Sequence, residues 1–280
     1  MNHNSVIDRY CVMGNPVEHS KSPWIHARFA QLTGQALHYG KRLVPLHGFA
    51  ASLRDFIDSS DGAAKGCNVT VPFKFEAFAL AQHVSERAAL AGAANTLSFS
   101  SSGIHADNTD GAGLVRDIEL NAGVKLAGKR LLLLGAGGAA AGVLGPLLHT
   151  GLTQITVANR TLFKAQQLVQ RHAALATNGT LVACTLADVQ GRFDVVVNAT
   201  STSLSGENLA LPANLLQRGA LAYDMMYGPA AQSFLDWARA LGAEPRDGLG
   251  MLVEQAAEAF FIWRGVRPPS AQVLQELRAL

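Results

Sequence analysis

The chain has 280 residues, of which 49% are hydrophobic and 16% are charged, and its formal net charge at pH 7 is +2. This composition predicts a packed globular protein with room for two modest domains, and it excludes a disordered chain. Because Lys and Arg form no run, the sequence gives no indication of nucleic-acid binding.

The cysteines and the apolar segments bear on where the protein works. Cys11, Cys67 and Cys184 are scattered without metal-ligand spacing, so we expect small buried residues in a reducing cytoplasm and no metal site. Residues 131–148 are uncharged and long enough to span a bilayer, but five glycines and Pro146 favour a strand, a glycine turn and a packed helix. The first four residues lack the charged and apolar parts of a signal peptide, so we expect a cytoplasmic protein.

The first part of the chain alternates short apolar runs with helical patterns. Pro23 suits the first turn of a helix that continues to residue 32 and ends at Gly34. Pro72 predicts the start of another helix, which we extend to about residue 83. Strands are predicted at 10–13 and 67–71, and a hairpin at 95–99 and 104–106.

From Gly111 onwards the pattern becomes a repeat of strand and helix. A helix near 114–120 precedes predicted strands at 130–134, 155–158, 194–198 and 220–223, with a helix at 163–172. Strands that alternate with helices indicate parallel βαβ units and a doubly wound sheet. Residues 249–263 form an amphipathic helical pattern near the end of the chain.

A glycine-rich loop follows the leucine run 131–134 directly: Gly135-Ala136-Gly137-Gly138-Ala139-Ala140. A strand before this motif and a helix after it are the context that a dinucleotide-binding loop requires. Gly135 permits the tight turn, Gly137 lets the backbone approach a pyrophosphate, and Ala140 takes the third small position. The alternative is a plain turn between strand and helix.

The next predicted strand ends in Asn159-Arg160-Thr161, with Lys164 one turn further on. NAD enzymes usually place an acidic residue here to bind the ribose hydroxyls, and this chain has none. Arg160 can bind a 2′-phosphate through charge-assisted hydrogen bonds, which favours NADP over NAD. The alternative is an ordinary helix start, with Thr161 as its cap and surface cations nearby.

Two segments before the loop carry candidate acid/base residues. Asn68-Val69-Thr70-Val71-Pro72-Phe73-Lys74 places a lysine in the first turn of a predicted helix, and Asp107-Asn108-Thr109-Asp110-Gly111 places a carboxylate before the next helix. Reduction of a ketone adds hydride to carbon and a proton to oxygen, and such a pair can transfer the proton as general acid and base. Taken alone, Lys74 also fits a surface lysine and Asp110 a helix N-cap.

Together with Ser20-Lys21-Ser22-Pro23, these segments resemble the shikimate dehydrogenases, NADP-dependent enzymes that reduce 3-dehydroshikimate to shikimate. The resemblance covers nearly the whole chain. It implies two α/β domains with the site in the cleft between them. Residues 1–110 with 248–280 would form the substrate-binding catalytic domain, and 111–247 the NADP-binding Rossmann domain. Lys74 matches the family's catalytic lysine and Asp110 its partner carboxylate.

The resemblance also implies the residues that contact the ligands. Ser20 and Ser22 precede a predicted helix, where hydroxyls suit a carboxylate, although simple capping is the alternative. Further substrate contacts are implied for Lys74 and Asp110 themselves and for Thr70, Asn95, Tyr227 and Gln255. Implied NADP contacts are the loop residues Gly135, Ala136, Gly137, Gly138 and Ala139, then Asn159, Arg160, Thr161 and Lys164, and finally Glu86, Thr200, Met225 and Gly248.

Some features depart from the family pattern or leave a choice open. Ser201-Thr202-Ser203-Leu204 has no glycine where many members have one. The resemblance places this segment in a loop near the nicotinamide, where the difference removes no catalytic group. His19 and His105 are interpreted as structural, because the family mechanism does not use them. The expected partners are shikimate and 3-dehydroshikimate, with no nucleic acid and no membrane, in a monomer or homodimer. The alternatives are a broader quinate/shikimate dehydrogenase, an NAD-preferring paralogue, or a non-catalytic sensor of quinate or shikimate on the same fold.

Overall fold

A computed structural model describes residues 7–200, 211 and 213–280. The chain divides into two compact α/β units. The first comprises the chain up to Thr109 together with Val253–Leu280, and the second is Asp110–Leu252. The α/β class and the two-domain plan predicted from the sequence are confirmed.

The first unit is built on a mixed sheet. Its strands are β1 (Asp8–Gly14), β2 (Leu37–Leu43), β3 (Ala64–Val69), β4 (His83–Val84), β5 (Thr96–Ser100) and β6 (Gly103–Asp107). They lie in the order β2-β1-β3-β5-β6-β4, and β5 is antiparallel to both of its neighbours. The helices up to Thr109 are α1 (Ser22–Thr33), α2 (Phe49–Asp58), α3 (Lys74–Ala79) and α4 (Glu86–Ala91).

The second unit holds a six-stranded, fully parallel sheet. Its strands are β7 (Arg130–Leu134), β8 (Gln154–Asn159), β9 (Thr180–Thr185), β10 (Phe193–Asn198), β11 (Leu216–Asp224) and β12 (Glu244–Arg246). The order is β12-β11-β10-β7-β8-β9. The α-helices described within this unit are α5 (Asp110–Arg116), which continues as a π-helical turn at Asp117–Asn121, α6 (Gly138–Leu148), α7 (Leu162–His172) and α8 (Gln232–Ala240). The predicted doubly wound arrangement is therefore confirmed.

The last two helices are α9 (Leu249–Arg264) and α10 (Ser270–Arg278), and all of the chain after Leu252 belongs to the first unit. There Trp263 of α9 stacks against Tyr10 with ring centroids 4.6 Å apart, and its Nε1 donates to the Leu97 carbonyl at 3.1 Å. These contacts anchor the end of the chain to the sheet of the first unit.

One predicted helix is too long. The helix expected to run from Pro72 to about residue 83 begins at Lys74 and ends at Ala79. After it, the Gln82 N–H donates to the Ile104 carbonyl at 3.0 Å, and the Gln82 side-chain Oε1 accepts from the Ile104 N–H at 2.8 Å. This pairing draws His83 into strand β4 beside β6, so tertiary contacts override the local helical pattern.

The apolar segment 131–148 forms β7, the glycine turn and α6. Among the residues that the structure describes, no helix is both long and apolar enough to cross a membrane. Cys11 and Cys67 are buried and Cys184 is partly buried, and all three are free thiols. Burial raises the pKa of the Cys11 thiol to about 12, although the positive charge of Arg42 acts in the opposite direction.

Candidate active site

The glycine-rich turn joins β7 to the eleven-residue helix α6. Gly135 has a φ of +103°, and its N–H donates to the Ala158 carbonyl at 2.8 Å. A Cβ built on Gly137, which is exposed, would meet no atom within 4 Å. Ala140 is fully buried where α6 meets the sheet, and the other loop residues are partly exposed: Ala136, Gly138 and Ala139. An open backbone at a helix N-terminus fits a pyrophosphate group.

Polar and cationic residues follow β8, the neighbour of β7 in the sheet. Arg160, Thr161 and Lys164 are exposed, and Asn159 donates from Nδ2 to the Thr161 carbonyl at 2.9 Å. Thr161 takes the N-cap position of α7, but its side chain makes no capping hydrogen bond. Capping therefore does not account for the Thr161 hydroxyl, and this edge presents cations without a carboxylate between residues 159 and 164.

Three predicted cofactor contacts lie beyond the carboxyl ends of adjacent strands. Thr200 lies two residues after β10, Met225 directly after β11, and Gly248 two residues after β12. Gly248 is buried, and its N–H donates to the Met226 carbonyl at 2.8 Å. The carboxyl edge of a parallel sheet is the usual place for nucleotide contacts, so this placement suits a cofactor site.

A buried polar network occupies the first unit, with Asn95 at its centre. The Asn95 Nδ2 donates to Thr109 Oγ1 at 3.0 Å and to Gln255 Oε1 at 3.1 Å. Its Oδ1 accepts from the Thr109 N–H at 2.8 Å and from Thr96 Oγ1 at 2.9 Å. The structure therefore brings together Asn95 and Gln255, which are 160 residues apart and were both predicted as substrate contacts.

Asn68 and Tyr39 extend this network towards Ser22. Asn68 donates from Nδ2 to Thr96 Oγ1 at 3.1 Å, and its Oδ1 accepts from the Tyr39 hydroxyl at 2.7 Å. Ser22 lies beside the Tyr39 hydroxyl. Burial holds the pKa of Tyr39 well above its ordinary value, so this hydroxyl stays protonated and available as a donor.

Ser20 and Thr70, two more hydroxyl residues predicted to contact substrate, lie two residues before α1 and directly after β3. Ser20 Oγ accepts from the Ser22 N–H at 3.3 Å. Thr70 follows β3 directly, and its N–H donates to the Met13 carbonyl at 2.9 Å. A Cβ on Gly14 would collide with the Thr70 side chain, so glycine is needed for this close packing.

Lys74 is half-buried and is the first residue of α3. Its carbonyl accepts from the Ala94 N–H at 2.9 Å, which fixes the start of α3 beside the chain that leads into Asn95. Asp110, only 2% exposed, is the first residue of α5, directly after Thr109 of the polar network. A carboxylate in the first turn of a helix is stabilised by the macrodipole.

A curated relative from Paracidovorax citrulli, shikimate dehydrogenase (NADP(+)), is 64% identical to this chain over 282 residues, which cover 100% of this chain and 99% of the relative. The chain belongs to the shikimate dehydrogenase family. Family models match residues 12–97 (shikimate dehydrogenase substrate binding domain), 118–208 (shikimate / quinate 5-dehydrogenase) and 248–278 (shikimate 5′-dehydrogenase C-terminal domain). The sequence-based assignment to this family is confirmed.

Solved structures of other proteins share this fold over almost the whole chain. An Ael1 enzyme from Pseudomonas putida is 47% identical, with a TM-score of 0.88 over 96% of this chain and 98% of that chain. Shikimate 5-dehydrogenase from Thermus thermophilus, in complex with NADP(H) and shikimate, is 30% identical, with a TM-score of 0.84 over 98% of this chain and 99% of that chain. The shikimate dehydrogenase fold thus extends over essentially the whole chain.

Two predicted contacts lie outside the clusters described above. Tyr227 is half-buried before a short 3₁₀ helix in the second unit, and burial raises the pKa of its hydroxyl, so it remains a hydrogen-bond donor. Glu86 is exposed in the first turn of α4, which Ser85 caps by accepting from the Ala88 N–H at 3.2 Å. The ligand-contact roles of both residues stay predictions.

The structure also places the two histidines that were interpreted as structural. His19 is exposed in a turn. His105 stacks on His83 with ring centroids 4.3 Å apart, and its Nε2 shares hydrogen bonds with the hydroxyls of Ser100 and Ser102. The segment 201–204, where the expected glycine is missing, lies outside the described residues.

Sequence reasoning missed Tyr39 and left Asn68 without a role. Tyr39 contacts Asn68 across 29 residues, and no local motif marks it. Asn68 stands inside the segment that leads to Lys74, so its position beside that motif was the available signal. Both residues connect to Asn95 through Thr96 in the first unit.

Proposed function

We propose that the chain catalyses reversible hydride transfer between NADP(H) and the pair 3-dehydroshikimate and shikimate, with Lys74 and Asp110 as its acid–base pair. One observation carries this proposal. In the first unit, Lys74 lies beside a buried network of amides and hydroxyls centred on Asn95. Such groups suit a small ligand that carries several hydroxyls, and family membership identifies its class.

The substrate's carboxylate and hydroxyls require different partners. Ser20 and Ser22 lie at the start of α1, where hydroxyls and helix N–H groups suit the carboxylate. Asn95, Gln255 and Thr70 offer amide and hydroxyl groups for the ring hydroxyls. We therefore propose that the first unit binds the substrate.

The second unit would bind NADP(H), which supplies or accepts the hydride when it is bound. The open backbone of Gly137 at the start of α6 would bind the pyrophosphate. Arg160 and Lys164 would bind the 2′-phosphate, where a carboxylate would repel it. Thr200, Met225 and Gly248 would contact the nicotinamide half.

Lys74 would donate and accept the proton of the reaction, and Asp110 would assist it. In the direction of reduction, a protonated Lys74 stabilises the negative charge that develops on the carbonyl oxygen and donates its proton to that oxygen. In the direction of oxidation, neutral Lys74 takes the proton from the hydroxyl. Asp110 would orient the lysine and stabilise its cationic form.

The experiment is NADP reduction, followed by absorbance, with purified protein and shikimate. Parallel reactions replace NADP by NAD and shikimate by quinate. Turnover confined largely to shikimate with NADP supports the proposal. Comparable rates with quinate or NAD would identify the broader paralogue, and ligand binding without turnover would identify a sensor.

The three free thiols suit a reducing compartment, and we propose a cytoplasmic enzyme that is a monomer or a homodimer. Light scattering after size-exclusion chromatography would distinguish the two assemblies, because the monomer has a mass of 29.5 kDa.

A further inference from the structure

Asn198 and Asp224 are the last residues of adjacent parallel strands, β10 and β11. They are paired in register, and both are fully buried. The mechanism proposed above uses neither side chain. A buried carboxylate is costly unless hydrogen bonds replace its water, so the groups that Asp224 binds decide what it does.

The two side chains form a chain of hydrogen bonds at this edge of the sheet. Asp224 Oδ2 accepts from Asn198 Nδ2 at 2.8 Å, and Asp224 Oδ1 accepts from the Met226 N–H at 2.8 Å. Asn198 Oδ1 accepts from Thr200 Oγ1 at 2.7 Å and from the Thr200 N–H at 3.1 Å. The pair therefore determines how the chain leaves both strands.

The same contacts reach Met225 and Gly248. The Met225 N–H donates to the Asn198 carbonyl at 3.0 Å, and the Gly248 N–H donates to the Met226 carbonyl at 2.8 Å. A Cβ on Gly248 would collide with the Met225 carbonyl, so the two segments are in close contact. The side chains of the pair thus hold Thr200 and the Met226 N–H, and backbone hydrogen bonds connect Met225 and Gly248 to the same two segments.

We propose that Asp224 and Asn198 are positioning residues that fix the nicotinamide end of the cofactor site. This inference rests on the proposed function. The adenosine end, at Arg160 and Lys164, follows β8, which lies two strands from β10 and takes no part in these hydrogen bonds. The two ends of the cofactor should therefore respond differently when the pair is disrupted.

Asp224→Asn changes the hydrogen bonding with almost no change of shape. An amide at 224 has one acceptor, whereas Asn198 Nδ2 and the Met226 N–H both need one. If Asn198 flips its amide to compensate, its nitrogen then faces the Thr200 N–H. In every orientation of the two amides, at least one of these donors loses the acceptor that it has in the wild type.

The reciprocal swap, Asn198→Asp with Asp224→Asn, restores all of these bonds. The carboxylate at 198 accepts from Thr200 with one oxygen and from the new amide at 224 with the other. The amide oxygen at 224 accepts from the Met226 N–H. The single change Asn198→Asp instead places two carboxyl groups face to face. It is the second single variant with which the double swap is compared.

The test compares NADP with adenosine 2′,5′-bisphosphate, which carries only the adenosine end of the cofactor. Calorimetry gives both affinities, shikimate oxidation gives kcat and KM, and thermal melting checks the fold. We expect Asp224→Asn to lower kcat/KM for NADP by about tenfold or more. The affinity for the bisphosphate should stay within about twofold, and the swap should recover most of the loss.

The positioning role would be overturned if Asp224→Asn lowered the affinities for NADP and the bisphosphate equally, or lowered neither. It would also be overturned if the swap recovered no more activity than the single changes. A variant that fails to fold would do the same, because the pair would then stabilise the unit as a whole. If the wild type binds NADP without oxidising shikimate, the proposed reaction is wrong, and the binding comparison still tests the pair. If the wild type binds no NADP, both proposals fail.

Discussion

Arg160 provides the sharpest test of cofactor choice, and the variant is Arg160→Ala. A hydrogen bond to a charged group contributes about 1.5–3 kcal/mol, and the lower end applies because Arg160 is exposed. We therefore expect kcat/KM for NADP to fall by about tenfold. NAD has no 2′-phosphate, so kcat/KM for NAD should not change and the preference for NADP should fall by the same factor.

Arg192→Ala is the matched control. Arg192 is an exposed arginine of the same unit, but it precedes β10 at the amino end of that strand, whereas Arg160 follows the carboxyl end of β8. Arg192→Ala should leave kcat/KM unchanged for both NADP and NAD. The assay is initial rates of shikimate oxidation over a range of NADP and NAD concentrations. Equal losses with NADP and NAD, or an unchanged kcat/KM for NADP, would refute the assignment of Arg160 to the phosphate.

Salt adds a second measurement to the same pair of variants. The interaction of an exposed cation with a phosphate is screened by ions, so KM for NADP in the wild type should rise with ionic strength. The rise should be smaller in Arg160→Ala and unchanged in Arg192→Ala. Replacing Lys164 in the Arg160→Ala variant should weaken NADP binding further. The combined effect should be less than the product of the two single effects, because both cations would bind one phosphate.

Three further predictions concern the first unit. Lys74→Ala should lower kcat by about a hundredfold or more while calorimetry still detects NADP binding, and Lys65→Ala, an exposed lysine on β3, should change neither. Asn95→Ala leaves the buried Thr109 N–H without its 2.8 Å partner, so denaturant unfolding should show a loss of about 1–3 kcal/mol, and KM for shikimate should rise more than KM for NADP. His26 is fully buried, which lowers its pKa to about 3 although Asn68 acts in the opposite direction. The unfolded state gains this proton below about pH 6.5 and the folded state only near 3, so stability should fall on acidification by up to about 1.4 kcal/mol per pH unit. Urea unfolding at pH 7, 6 and 5 should show a shallower fall in His26→Phe, and parallel profiles would contradict this reasoning.

The parallel sheet of the second unit could be predicted because its strands are continuous apolar runs. Leu131 to Leu134 are all fully buried, and the glycine turn follows them at once, so local sequence marks both the strand and its end. The first unit gives weaker signals. In β2 the burial pattern leaves Tyr39 as the one buried side chain, and β4 has only two residues, held by pairing with β6. Strands that form mainly because of their pairing partners cannot be recognised from a local sequence pattern.

The same distinction explains which site residues could be found from the sequence. Lys74 and Asp110 stand in contiguous segments whose order resembles a known family. Tyr39, by contrast, reaches Asn68 only because β1 lies between β2 and β3 in the sheet. The pair Asn198 and Asp224 has the same origin, since register alone brings these residues together across 26 positions. Groups predicted to touch a ligand are therefore recognisable from motifs, whereas the groups proposed to hold them in place require the sheet order and the register.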